Sequence, residues 1–403
     1  MIIFDGSVTS PKGFKAAGIH AGIRKNKDKK DLALILADGI CNAAAVYTLN
    51  KVKGAPLIVT KQNLADGKAA AIVCNSGNAN TCNPDGEQKA AEMCRIVAEC
   101  TGVSANDVIV ASTGVIGLPL SVEPIKKAMP ALVKALGDDG KGAAQAIMTT
   151  DTVAKTVAAK FVAGGKECVI GGIAKGSGMI HPNMATMLVF LTTDANISSE
   201  MLQKAISDDV KRSFNMVSVD GDTSTNDMLA ILAGGKAGNP EITTENDDYK
   251  AFVEALNAVT VNLCKKIAKD GEGATKLLEC KVTGGLDYGN AAITAKSVIT
   301  SSLFKAAMFG ADANWGRALC AIGYSGANTD TDKIDIAFSS AAGSIDVCRQ
   351  GKGLNFDEVL AKKILSESEI TVTVTCRDGD AVATAWGCDL TYDYVKINGD
   401  YRT

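Results

Sequence analysis

Histidine is nearly absent: His20 and His181 are the only two in 403 residues. A Ser-His-Asp or Cys-His system would have to use one of them, so the sequence directs attention to a nucleophile activated in some other way. The twelve cysteines contain no C-x-x-C pair, and with so little histidine beside them no zinc site is expected. They run from Cys41 to Cys388, mostly inside apolar segments such as Val73-Cys74 and Leu319-Cys320, which fits reduced thiols in a cytoplasm better than a disulfide framework. Positive charge is not in excess either. The 42 Lys plus Arg face 45 Asp plus Glu, with no basic stripe or polybasic tail, so neither nucleic acid nor an anionic membrane is an expected partner. No apolar run approaches the roughly 18 residues of a spanning helix. The start, MIIFDGSVTSPKG, has Asp5 and no basic region ahead of an apolar stretch, so the expectation is a cytoplasmic protein, neither secreted nor inserted in a membrane.

Proline (8 residues) and aromatics (5%) are also scarce, whereas glycine reaches 40, a composition of α/β enzymes with tight turns and small-residue packing. The pattern predicts a strand near 69–74, a helix from Glu87 to Cys100, a strand from Asp107 to Ala111 and a helix from Val122 to Leu136. A hairpin over 156–163 and 167–173 turns at Gly164-Gly165, and an apolar strand runs from Met187 to Leu191. Ser198 or Ser199 caps a helix that reaches about Phe214. Helices are expected over 246–268, 290–308 and 356–366, with short strands at 333–338, 344–348, 369–376 and 381–386 and a polar tail over 397–403. The fold class is α/β, layered as a sandwich of sheets and helices. No linker marks a domain boundary.

Chemistry concentrates in Lys175–Thr186, KGSGMIHPNMAT. Gly176 and Gly178 let backbone approach a ligand, Lys175 offers a cation to a carboxylate, and Thr186 stands where the chain becomes extended. Ala185 leaves its carbonyl open to the Thr186 hydroxyl, the arrangement an N-to-O acyl shift requires. Once that bond is cut, the new α-amine, with an intrinsic pKa of about 8, can act as the base for the hydroxyl and no histidine is needed. A threonine heading an apolar strand is usually just a strand residue, and on the residues alone that reading is favoured over self-cleavage. Ser112-Thr113-Gly114 after the strand could give a hydroxyl and a backbone N–H to an oxyanion, or could be a plain turn. Glu272, between two glycines, reads as a loop acid, and His181 before Pro182 as a loop residue. The glycines of 171–178 lack the Gly-Lys-Ser/Thr ending of a phosphate loop and precede a strand, unlike a dinucleotide fingerprint. Asp220 and Asp222 lack the continuation to a bidentate Glu of a calcium loop and read as loop-forming.

Longer blocks then bear on Thr186. KGSGMIHPNMATMLVFLTTDA resembles the signature of the ornithine acetyltransferase family of arginine biosynthesis, whose members cleave themselves before this threonine. SPKGFKAAGIHAGI, CNSGNANTC, ASTGVIG, AIMTTDT, FNMVSVDGDTSTND, DGEGATK, GADANWGRALCAIGYSG and INGDYRT resemble further family blocks in the same order, so the likeness spans nearly the whole chain. The resemblance implies Thr186 as nucleophile, Ala185 as donor of the scissile carbonyl, and Thr113 with Gly114 as oxyanion hole. It implies substrate contacts from Thr149, Lys175, Thr186, Glu272, Asn398 and Thr403. It further implies an α chain of residues 1–185 interleaved with a β chain of residues 186–403, two copies of each forming a heterotetramer. The implied reaction is ping-pong transfer of acetyl from N2-acetyl-L-ornithine to L-glutamate, releasing ornithine and N-acetylglutamate, with no cofactor, acetyl-CoA entering only as an alternative donor. The competing classes are a self-processing amidase or aminopeptidase and a non-catalytic small-molecule binder.

Overall fold

The computed structural model describes residues 1–181 and 187–400, which divide into two compact units. The first comprises Met1–Gly176, Pro182–Asn215 and Thr223–Leu263, the second Ser177–His181, Met216–Asp222 and Cys264–Thr403.

Among the described residues, the first unit holds a nine-stranded sheet. Its order is Ile2–Phe4, Lys155–Ala163, Lys166–Lys175, Leu188–Thr193, Met228–Ala233, Leu32–Tyr47, Lys68–Asn75 and Val108–Ser112, with Phe14–Ile19 also paired to Leu32–Tyr47. The sheet is buried on both faces, which the long strand Leu32–Tyr47 makes plain. Ala33 and Ile35 pack with Ala143, Ala144 and Ile147 of the helix Gly140–Ile147. Their neighbours Leu32 and Leu34 point the other way, toward Met93 and Val97 of the helix Gly86–Thr101 and Ile125 and Met129 of the helix Glu123–Lys134. Fully burying each such aliphatic side chain contributes about 1.5–3 kcal/mol. Lys68–Asn75 and Val108–Ser112 run parallel, so a crossover is required, and Gly86–Thr101 supplies it.

Three strand ends fix the neighbourhood of the glycine-rich segment. Lys175 closes its strand opposite Leu188, which opens the antiparallel neighbour. Leu188 in turn lies in register with Met228, the first residue of a parallel strand. Lys175, Met187 and Asp227 therefore gather at one end of three adjacent strands, with the Met228 N–H donating to the Met187 carbonyl at 2.9 Å.

The second unit holds a seven-stranded sheet in the order Lys352–Gly353, Gly343–Arg349, Asp335–Ser340, Glu369–Thr375, Leu277–Gly285, Ala381–Cys388 and Val217–Ser218. The expected helix 290–308 is two helices, Tyr288–Thr300 and Ser302–Phe309. Ser301, extended at φ −68° and ψ 111°, breaks the run and accepts from the Phe304 N–H to cap the second. The helix after Ser198 ends at Asp209, short of the expected Phe214. The expected polar tail over 397–403 begins inside the helix Tyr392–Gly399, which stands on a Thr391 cap.

Candidate active site

Thr113 and Gly114 follow the strand Val108–Ser112 in the first unit. The Thr113 N–H donates to the Asn75 carbonyl at 2.9 Å, so that amide is occupied. Among the described residues the Thr113 hydroxyl and the Gly114 N–H make no hydrogen bond, leaving one hydroxyl and one amide side by side. Gly114 sits at φ 127°, and a Cβ there would lie 2.7–2.9 Å from the Gly77 and Asn78 backbone, so no larger residue fits. The turn is held from beneath. Asn75 Nδ2 donates to Ser112 Oγ at 2.7 Å, and Asn226 Nδ2 donates to the carbonyls of Ala79 at 2.6 Å and Ser112 at 2.9 Å.

Lys175 and Thr149 meet around one buried carboxylate of the same unit, Asp151. Asp151 Oδ1 accepts from Lys155 Nζ and from the Gly176 N–H, each at 2.7 Å, and its Oδ2 accepts from the Thr149 N–H at 2.9 Å. Burial alone would raise the Asp151 pKa, but the Lys155 and Lys175 charges and these bonds overcome it and hold the carboxyl well below the usual range. Lys175 is 8% exposed. Burial pulls its ammonium pKa down, while Asp151 and Asp227 pull it back up. Asp227 is 3% exposed, its Oδ2 has no hydrogen-bond partner among the described residues, and burial pushes its carboxyl well above the ordinary range despite Ser224 and Lys175. The cluster thus buries one cation, Lys175, beside two carboxylates and a second lysine.

Glu272 and Asn398 come together in the second unit. Glu272 is 7% exposed, and its Oε2 accepts from Asn398 Nδ2 at 2.8 Å. The tail helix that carries Asn398 is fastened to the same loop, because Thr391 Oγ1 donates to the Gly273 carbonyl at 2.7 Å. Gly178 lies against the carboxyl group: a Cβ at that position would be 2.3 Å from Glu272 Cδ. Glu272 is therefore not the solvated loop acid that its flanking glycines suggest. His181 is half-buried with Nδ1 3.1 Å from Ser218 Oγ. Burial, with the Lys296 charge, lowers its pKa to about 4 against the opposing pull of Asp220, so the ring is neutral at neutral pH.

Ala185, Thr186 and Thr403 lie outside the described residues. Asp151, Asp227 and Asn226 were not singled out from the sequence, although they stand in the blocks AIMTTDT and FNMVSVDGDTSTND. For Asp227 the available signal was an acid placed directly before the apolar strand Met228–Ala233, which buries it and demands partners.

A sequence model of the ArgJ family matches residues 15–403. The arginine biosynthesis bifunctional protein ArgJ 1 of Clostridium acetobutylicum is 51% identical over 402 residues, 98% of this chain and 98% of its own. The corresponding ArgJ protein of Caldanaerobacter subterraneus subsp. tengcongensis is 50% identical over 405 residues, covering 100% of both chains. The crystal structure of the arginine biosynthesis bifunctional protein argJ from Bacillus halodurans is 46% identical with a TM-score of 0.50, over 53% of this chain and 98% of that one.

Proposed function

Because the chain belongs to the ArgJ family and is an acyltransferase of arginine biosynthesis, we propose that it carries acetyl from N2-acetyl-L-ornithine to L-glutamate on Thr186. The nucleophile is first released by self-cleavage. Thr186 Oγ1 attacks the Ala185 carbonyl carbon, the C–O ester bond forms as the C–N peptide bond breaks, and the hydroxyl proton passes to the departing nitrogen. Water then hydrolyses the ester, leaving the Ala185 carboxylate and a Thr186 with free hydroxyl and α-amine.

In turnover, Thr186 Oγ1 adds to the acetyl carbonyl of the donor while its own α-amine takes the hydroxyl proton. The oxyanion receives the Thr113 hydroxyl and the Gly114 N–H, each such donor worth about 2.7–4 kcal/mol in the transition state. The C–N bond to ornithine breaks with transfer of the held proton to the leaving amine, and an acetyl-threonine ester remains. The glutamate amine attacks that ester, the C–O bond breaks, and the proton returns to Thr186. Lys175 takes the substrate α-carboxylate, Glu272 with Asn398 takes the ornithine ammonium, and Thr149 and Thr403 complete the contacts.

The observation that carries this reading is the pairing at residues 113 and 114: the Thr113 amide is engaged by Asn75, which leaves a hydroxyl and the next amide as the donors. A solved relative matched over 98% of its own length by 53% of this chain, about 214 residues, is of half length, which supports cleavage into pieces of 185 and 218 residues. The relatives reported above are named bifunctional, which favours a second activity in which acetyl-CoA acetylates glutamate. Two copies of each chain make the assembly, and all twelve cysteines being free supports a cytoplasmic location. No helix among the described residues is long and apolar enough to cross a membrane. A steady-state assay decides between classes. A transferase makes N-acetylglutamate in proportion to ornithine, a hydrolase consumes acetylornithine without glutamate, and a binder does neither.

A further inference from the structure

We infer that Asn226 is a positioning residue for the oxyanion donors, orienting Thr113 and Gly114 through the peptide group that precedes them. This rests on the reading of those two residues as the oxyanion hole. The peptide group between Ser112 and Thr113 is held from both sides. Its carbonyl oxygen, that of Ser112, accepts from Asn226 Nδ2 at 2.9 Å, and its N–H, that of Thr113, donates to the Asn75 carbonyl at 2.9 Å. A peptide group is planar, so fixing its two opposite edges sets its tilt and the direction in which the Thr113 Cα leaves it. The Thr113 hydroxyl and the Gly114 N–H both lie within one residue of that plane.

The same amide reaches a second segment. Asn226 Nδ2 also donates to the Ala79 carbonyl at 2.6 Å, and the stretch 75–81 is the one along which the turn runs. The Ala79 N–H donates to the Val115 carbonyl and the Gly117 N–H to the Thr81 carbonyl, each at 3.0 Å, so the turn is tied on the far side of Gly114 as well. The orientation of the amide is set by its other atom. Asn226 Oδ1 accepts from Thr81 Oγ1 and Thr225 Oγ1, each at 2.6 Å, so both N–H bonds and both lone pairs of the side chain are used. Turned over, it would set Oδ1 against two carbonyl oxygens. Asn226 is buried, and Gly54 closes on it: a Cβ there would lie 2.5 Å from Nδ2. If the chain is cut before Thr186, Asn226 belongs to the piece that bears the nucleophile and the turn to the other, 114 residues away in sequence. The piece that attacks then also aims the donors that receive the oxyanion. Asn226 itself touches no reacting group, so its effect should fall on the transition state and spare substrate binding.

The test is steady-state acetyl transfer from N-acetylornithine to glutamate, with kcat counted per 218-residue fragment by intact mass so that slow self-cleavage does not enter it. Asn226→Asp keeps the size of the side chain but sets an oxygen against both carbonyls, and kcat should fall roughly tenfold to a hundredfold with KM within about twofold of the parent. Asn226→Ser, which removes the amide without adding charge, should fall likewise. In a Thr113→Val background, where the hole is already damaged, Asn226→Asp should cost several-fold less than in the parent. Asn63→Asp is the control. Asn63 Nδ2 also donates to two carbonyls, those of Ala105 at 3.2 Å and Val108 at 2.8 Å, but at the opposite end of the strand Val108–Ser112. Its kcat should stay within about twofold of the parent whatever it loses in melting temperature. A parental kcat in folded, cut Asn226→Asp or Asn226→Ser would refute the role of Asn226, as would a raised KM at constant kcat, losses that multiply with those of Thr113→Val, or an equal fall in Asn63→Asp. If Thr113→Val itself leaves kcat unchanged, the oxyanion reading fails and takes this inference with it; if Thr113→Val is slow and Asn226→Asp is not, only the inference fails. Should Asn226→Asp not fold or not cut, Asn226→Ser carries the comparison. If neither gives a folded, cut enzyme, Asn226 serves folding or processing and the inference is overturned.

Discussion

Replacing Gly178 by alanine adds one methyl group and should cost most of the enzyme's grip on acetylornithine. The new Cβ would stand 2.3 Å from Glu272 Cδ and Oε2 and 2.4 Å from Oε1. Comfortable contact between such atoms is about 3.5–4.0 Å, so the carboxyl group must retreat by more than roughly 1 Å. Retreat is not free. Glu272 is 7% exposed, its N–H is bonded to the Ser177 carbonyl at 3.0 Å, and its Oε2 is held by Asn398 at 2.8 Å. A hydrogen bond to a charged group contributes about 1.5–3 kcal/mol, and the same carboxylate has to meet the substrate ammonium. At about 1.4 kcal/mol per factor of ten, kcat/KM for acetylornithine in fully processed Gly178→Ala should fall roughly 10- to 100-fold. The loss should run through Glu272, so Gly178→Ala should cost little more in a Glu272→Ala background, a coupling that a double-mutant cycle measures. A kcat/KM within about twofold of the parent, or losses that simply add, would refute this account of Glu272.

Three further outcomes follow from the same geometry. Thr113→Val should lower kcat about 10²–10³-fold with little change in KM, because the hydroxyl serves only the oxyanion; a raised KM at constant kcat would contradict that role. Asp227→Asn should raise the melting temperature by an amount that grows with pH above about 4, the ordinary carboxylate value, and vanishes toward that pH. The folded chain holds this proton to a higher pH than the unfolded one, so ionisation costs stability as pH rises, and a flat difference between pH 4 and 8 would contradict it. Deleting residues 398–403 removes the Asn398 bond to Glu272, so transfer should be crippled while self-cleavage continues; kcat/KM of the truncated, processed enzyme near the full-length value would show the tail to be dispensable.

Much of the fold was legible where a local signal and the tertiary solution agree. Ser198 caps its helix through the Met201 N–H, and Gly164-Gly165 turns the hairpin between Lys155–Ala163 and Lys166–Lys175. The apolar run after Met187 becomes the strand Leu188–Thr193. The misses have local causes too. Within 290–308 the apolar periodicity continues across Ser301, whose capping role shows only once the second helix turns away from the first. The tail helix has no buried side chains of its own, and its anchor is the Thr391 bond to Gly273, a contact 118 residues distant in the chain. The site divides in the same manner. Lys175, Glu272 and Asn398 stand in blocks that resemble a family, whereas Asp151 and Asp227 acquire meaning from partners brought to them by the fold, which composition and spacing do not encode.

The acetyl-threonine ester is the centre of the account, and intact mass after acid quench tests it directly. The purified protein should resolve into fragments of 185 and 218 residues, the second beginning at Thr186. On mixing with N-acetylornithine alone, the 218-residue fragment should gain the mass of one acetyl group with release of one ornithine, and added glutamate should remove it as N-acetylglutamate appears. A chain that turns over acetylornithine and glutamate while remaining a single 403-residue polypeptide, or while never carrying acetyl on the second fragment, would contradict it.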